Sequence, residues 1–288
     1  MPTIIIIGKG PAGISAALYT SRAGVETQII GKDGGALAKT EKIENFYGFA
    51  QPVSGPELLQ AGIANAQRLG CRLTDDQVVG ITWDGSYQVR TASGEYTADA
   101  VILATGAARN TPKIKGIREL EGRGVSYCAV CDAFFYRGKD VAVLGSGEYA
   151  LHEALELLPV VRSVTLLTNG AEPEADFPTE IRIEKRSITA LTGSDHLESA
   201  AFAEGGPLEL SGLFVAVGVA SSSDLARKLG AETEGNRILV NEKMETNLPG
   251  LFAAGDCVGG LLQIAKAVSD GAIAGTQAIQ FVRKNAAK

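Results

Sequence analysis

The chain has 288 residues, 45% of them hydrophobic and 21% charged, with a formal net charge of −6. That length exceeds ordinary single-domain size and allows two cores, while the acidic balance argues against nucleic acid as a partner. No apolar run reaches the roughly 18 residues of a membrane span. Residues 1–3 lead straight into an apolar stretch with no charged leader, so a cytoplasmic protein off the membrane is expected.

The apolar run 4–7 predicts a strand that enters a turn carrying Gly8, Gly10 and Gly13, followed by a helix over 14–23 and a second strand over 26–30. The same arrangement recurs with a strand at 140–144, a turn holding Gly145 and Gly147, a helix to Leu158 and a strand at 163–167. This duplication predicts two dinucleotide-type folds in one chain. Short apolar strands ending in glycine at 100–106 and 213–218 precede polar segments at 107–111 and 219–223, read as two crossings between domains. The first domain then comprises 1–111 and 219–288, and the second, 112–218, is inserted in it.

In the first turn Gly8 permits the tight bend, Gly10 lets the backbone approach a pyrophosphate, and Gly13 lets the helix pack close to the sheet. The helix N-terminus then offers unpaired N–H groups to the anion. Asp256, following a buried strand and Gly255, is suited to accept hydrogen bonds from sugar or ribityl hydroxyls. Gln263 and Ile264 open a helix, read as far as Ala274, whose dipole favours the negative charge of a reduced flavin. No ribose-binding acid follows the second strand, where Ile30 is succeeded by Gly31 and Lys32.

Cys128 and Cys131, two residues apart and followed by Asp132, are the sharpest feature. Such thiols close a small disulfide ring, and exchange requires one attacking and one resolving sulfur. Asp132 is placed to move the proton of a departing or attacking thiol. A zinc site is disfavoured, because Cys71, Cys257, His152 and His196 lack the spacing to complete four ligands. Cys71 and Cys257 read as small buried residues.

Together, Gly8, Gly10, Pro11, Ala12 and Gly13, then Glu44, Asn45 and Phe46, Ala104, Thr105 and Gly106, the Cys128 to Asp132 motif, and Ala253 to Asp256 resemble the thioredoxin reductase family in order and spacing over nearly the whole chain. The resemblance implies an α/β fold of two Rossmann-like, three-layer ββα nucleotide-binding domains, in a homodimer that carries FAD and reduces thioredoxin. Carried over, Cys131 faces the flavin, Cys128 attacks thioredoxin, Asp132 handles the proton, and Asn45, Asp256 and Gln263 lie around FAD. In the family the domains rotate about paired linkers to expose the dithiol in turn.

The departures bear on the electron donor. NADPH-dependent relatives carry a basic cluster after the second strand of the second domain, to hold the 2′-phosphate. Here 168–174 has no basic residue, and Glu148 and Tyr149 stand beside the phosphate path. The segment 255–263 is similar to that of the ferredoxin-dependent flavin thioredoxin reductases, which makes ferredoxin the expected donor. Arg109, Lys113, Lys115, Arg118 and Arg123 outnumber Glu119 and Glu121 and form a candidate dock for an acidic partner. The alternatives are a nicotinamide-dependent or two-flavin disulfide reductase of the same fold, and a non-catalytic flavin redox sensor.

Overall fold

The computed structural model describes residues 2–106 and 112–286. The expected first crossing, 107–111, and Arg109 with it, lie outside the described residues. Chain contacts divide the protein into a first unit of Met1–Arg109 with Ser221–Lys288 and a second of Asn110–Ala220. The helices are α1 (Pro11–Arg22), α2 (Gly55–Arg68), α3 (Ala129–Asp132), α4 (Glu148–Leu157), α5 (Ser222–Lys228) and α6 (Ile264–Ala286). Among the described residues no helix is long and apolar enough to cross a membrane.

The first unit is built on a five-stranded parallel sheet in the order Leu251–Ala253, Ala100–Leu103, Thr3–Ile7, Glu26–Ile30, Arg72–Thr74. Two of its inner strands, Ala100–Leu103 and Thr3–Ile7, are apolar over residues 100–103 and 4–7 because a parallel sheet is covered on both faces. Residues 4–7 are accordingly all buried. One cover is helical, with α6 packed along α1. The other layer is the antiparallel sheet Val78–Trp83, Tyr87–Thr91 and Glu95–Ala98.

The helix read to Ala274 runs on to Ala286. Gly271 and Gly275, which look like breakers in sequence, are what let it lie against α1. A Cβ on Gly271 would stand 2.1 Å from the Ala12 carbonyl oxygen, and one on Gly275 2.8 Å from that of Ala16. Close approach of the two helices outweighs the roughly 1 kcal/mol that a mid-helix glycine costs.

The second unit repeats the plan. Its parallel sheet runs Arg182–Glu184, Ser163–Leu167, Asp140–Leu144, Gly212–Val215, Val125–Ser126, beside an antiparallel sheet of Ile188–Thr192, Ser199–Phe202 and Leu208–Glu209. Two differences stand out. The edge strand here precedes the rest in the chain, whereas in the first unit it comes last. The crossover from Leu167 to Arg182 contains no helix, where the first unit has α2.

Two elements of the first unit that flank the insertion are tied to each other. Thr105 Oγ1 accepts the Ser222 N–H at 2.8 Å, the two hydroxyl oxygens lie 2.7 Å apart, and Ser222 Oγ accepts the Thr105 N–H at 3.1 Å. The start of α5 is set beside this clasp by a capping box between Ser221 and Asp224.

Candidate active site

Gly8 and Gly13 are required by sterics. A Cβ on Gly8, at φ +112°, would meet the Ala104 carbonyl oxygen at 2.3 Å, and one on Gly13 would meet that of Gly8 at 1.9 Å. Gly10 instead faces open space, with nothing within 4 Å of the position its Cβ would take. Gly10 is also the N-cap of α1 and supplies no side-chain cap, with Pro11 in the first turn and Ala12 after it. The first N–H groups of α1 are therefore presented uncapped beside open backbone, the arrangement that takes a phosphate.

Asp256 follows the buried strand Leu251–Ala253 and Gly255. Its carboxylate is half-buried and makes no hydrogen bond among the described residues. Lys266 does not neutralise it, being spent on the carbonyls of Gly255 and Gly259 and on Asp270. Asn45 Nδ2 donates to Gln263 Oε1 at 2.9 Å, which brings two residues far apart in sequence together just before Ile264 opens α6. Open glycine backbone, an uncapped helix and a half-buried carboxylate lacking a partner fit a dinucleotide with a polyhydroxyl chain. Thr105 has a different duty, its hydroxyl being engaged with Ser222 between Ala104 and Gly106.

In the second unit Cys128 and Cys131 form a disulfide, with Cα atoms 5.3 Å apart. Cys128 is the N-cap of α3 and its Sγ accepts the Cys131 N–H at 3.2 Å. Cys128 is 5% exposed, while Cys131 is exposed. Ser126 Oγ donates to Asp132 Oδ2 at 2.6 Å and accepts the Cys128 N–H at 3.1 Å, linking the acid to the first cysteine through one hydroxyl. The remaining thiols are not nucleophiles: burial pushes the Cys257 thiol up to about 11 and raises that of Cys71.

The second glycine turn differs from the first in what fills it. Gly145, like Gly8, sits where a Cβ would strike a backbone carbonyl, that of Ala216, at 2.3 Å. Gly147, the counterpart of Gly10, does not face open space: the Glu174 carboxylate stands 3.6 Å from where its Cβ would be. The helix-free crossover brings Glu174 there, its N–H donating to the Ser146 carbonyl at 2.7 Å and its carboxylate accepting from Ser146 Oγ at 3.3 Å. The protein's own exposed carboxylate thus lies at the N-terminus of α4. The neighbouring cations are committed elsewhere, Lys185 to Glu172 and Arg186 to Glu184. A cavity of about 390 Å³ beside the turn is lined by uncharged residues, among them Pro112, Ser146, Thr168 and Asn169. Tyr149 is buried, its hydroxyl 3.5 Å from the Tyr127 carbonyl, so its ring does not stand in the phosphate path.

Three features escaped the sequence. Glu174 was legible only as a residue lacking positive charge. Glu153, 1% exposed, accepts the Ala129 N–H at 2.7 Å under the redox helix. Val130, Phe134 and Phe135 are exposed at 52%, 70% and 68%, an apolar rim around Cys131. Exposed aromatics so close together on a surface mark a contact site. The apolar Phe134 and Phe135 beside the cysteine motif were the available signal.

Residues 2–271 match the pyridine nucleotide-disulphide oxidoreductase family. A thioredoxin reductase of Peptoclostridium acidaminophilum is 35% identical, over 98% of this chain and 97% of its own. Among solved structures, an atypical thioredoxin reductase of Desulfovibrio vulgaris Hildenborough superposes with TM-score 0.91 at 42% identity, covering 99% of both chains. A ferredoxin-flavin thioredoxin reductase of Clostridium acetobutylicum superposes with TM-score 0.71 at 31% identity, covering 99% of this chain and 98% of that one.

Proposed function

For this chain, which belongs to the thioredoxin reductase family of FAD-binding disulfide oxidoreductases, we propose that the electron donor is reduced ferredoxin, with no nicotinamide nucleotide involved. The observation that carries this is Glu174 at the N-terminus of α4, where a nucleotide would need to place its pyrophosphate. Two like charges about 4 Å apart repel by about 1 kcal/mol in water and more where solvent is excluded. The exposed Lys113, Lys115, Arg118 and Arg123 form a basic stretch suited to an acidic ferredoxin.

The chemistry FAD supplies when bound is the uptake of reducing equivalents and their delivery, as a pair, to a disulfide. Gly8, Gly10, Pro11, Ala12 and Gly13 would hold its pyrophosphate, Asp256 would accept from its hydroxyls, and Asn45, Ala104, Gly106, Gly255, Gln263 and Ile264 would complete the surround, with Thr105 committed to Ser222 behind them. On reduction the Cys128–Cys131 bond opens to a dithiol. The Cys128 thiolate then attacks one sulfur of the thioredoxin disulfide, breaking that bond and forming a mixed disulfide. Cys131 attacks Cys128 in turn, so the internal disulfide re-forms and the dithiol thioredoxin leaves with both electrons. Asp132 moves the thiol proton. Cys128 is covered in this structure, so its attack requires a change that uncovers it. The enzyme acts in the cytoplasm as a homodimer.

The test is the visible spectrum of the anaerobic protein on adding NADPH, NADH and then photoreduced ferredoxin, with thioredoxin present. Bleaching and thioredoxin reduction with ferredoxin alone are expected. Rapid bleaching by either nicotinamide nucleotide overturns the reading.

A further inference from the structure

The first turn of α3 is held from behind by a charged residue that the thiol chemistry above does not use. Glu153 lies on the buried face of α4, in line with Ala150, Ala154 and Leu157, all buried. An aliphatic side chain there would extend the core without a desolvation penalty, whereas a carboxylate is costly unless it is hydrogen-bonded. Its Oε2 accepts the N–H of Ala129, the residue directly after Cys128 and itself 0% exposed. The neighbouring donors of the turn are spent within it: Cys128 N–H on Ser126 Oγ, Cys131 N–H on Cys128 Sγ, and Asp132 N–H on the Cys128 carbonyl. The bond to Glu153 ties this turn to α4, and the Tyr149 hydroxyl, 3.5 Å from the Tyr127 carbonyl, adds a second link just before Cys128.

We infer that Glu153 is a positioning residue for the redox pair: its carboxylate fixes Ala129, and hence the orientation of Cys128, and its buried negative charge tilts the pair toward the disulfide. A fixed anion beside Cys128 disfavours the thiolate and with it the reduced state. A pair biased in this way gives its electrons to a partner disulfide more readily. The inference rests on Cys128 and Cys131 being the pair that reduces thioredoxin.

The test separates the hydrogen bond from the charge. Glu153→Gln keeps an acceptor oxygen and removes the charge, and Glu153→Leu removes both. Holoenzyme is equilibrated in dithiothreitol buffers, and the Cys128–Cys131 dithiol fraction is counted by alkylation and mass spectrometry. Glu153→Gln should keep the wild-type melting temperature yet shift the equilibrium at least tenfold toward the dithiol, about 30 mV upward. Its Cys128 should be alkylated at lower pH. The other titratable groups on the elements packed here are Tyr127, Asp132, Tyr136, Asp140, Glu148, Tyr149, His152 and Glu156, all retained in the variant. Glu153→Leu should add a loss of thioredoxin reduction rate beyond that of Glu153→Gln. A wild-type equilibrium and alkylation profile in Glu153→Gln would overturn the inference, whatever the fate of Glu153→Leu. Failure of the underlying reading looks different: reduced wild-type enzyme would then not exchange with thioredoxin at all.

Discussion

Thr105 belongs to a sequence motif associated with the flavin, yet its side chain is committed to Ser222, so replacing it with the near-isosteric Val should be felt in stability before it is felt in catalysis. The change deletes the 2.7 Å contact between hydroxyls and strips the Ser222 N–H of its 2.8 Å acceptor. Ser222 is fully buried, so water cannot replace the lost acceptor. A lost hydrogen bond costs about 1 kcal/mol, and a buried donor left unsatisfied costs about 1–3 kcal/mol. The remaining bond, from the Thr105 N–H to Ser222 Oγ, survives and keeps the total near 2–3 kcal/mol. For a unit of this size that lowers the melting temperature by roughly 5–10 °C. With the flavin held by the first unit as proposed above, its release on heating reports on that unit, which carries both residues. Ser222→Ala and the double variant complete a cycle, in which Thr105→Val should cost much less once Ser222 is already Ala. A Thr105→Val protein melting within about 1 °C of wild type, or strictly additive variants, would refute the clasp.

Other outcomes follow from the site. Cys128→Ser should leave the flavin reducible by its donor while abolishing thioredoxin turnover, and Cys131→Ser should accumulate a mixed disulfide with thioredoxin visible on a non-reducing gel. Either variant retaining full turnover would exclude the dithiol route. In the second unit, hydrogen bonds from Arg186 hold the Glu184 carboxyl down to about 2, below its ordinary 4.5. A depressed carboxyl stabilises the fold fully above the unfolded value and ceases to as pH falls through the folded one, here between about pH 4.5 and 2. Arg186 is about one-third exposed, so screening limits the contribution to about 1–2 kcal/mol. Stability measured from about pH 6 down to 2 should therefore fall less steeply for Glu184→Gln than for wild type.

Local chemistry was legible in the sequence wherever backbone geometry demanded one residue type. The strand, turn and helix around Gly8 and Gly13 could be read because only glycine tolerates the carbonyl contacts there, and the cysteine pair announced itself by spacing. Partners supplied from far along the chain could not be read. Thr105 finds Ser222 across the insertion, and Asn45 finds Gln263 across most of the chain. Glu153 sits at a position where helical periodicity calls for an apolar residue, and nothing local shows that the Ala129 N–H lies opposite. The full length of α6 was hidden for the opposite reason, since Gly271 and Gly275 are breakers by propensity and spacers by packing.

The packing of α6 along α1 also sets an order of events during synthesis. The first unit draws on segments either side of the second: the edge strand Leu251–Ala253 and α6 are made after the inserted unit, yet they cover a sheet and a helix made before it. The second unit is contiguous and has all its strands by Val215. At about 5–20 residues per second, α1 waits on the order of ten seconds or more for its partner, with its apolar face unpaired. The inserted unit is therefore free to close, with its cysteines in place, while the larger unit is still open. The flavin site proposed above, with Asp256 and Gln263, becomes complete only once α6 has been made, so a chain truncated before α6 should present a finished second unit on an unfinished first unit.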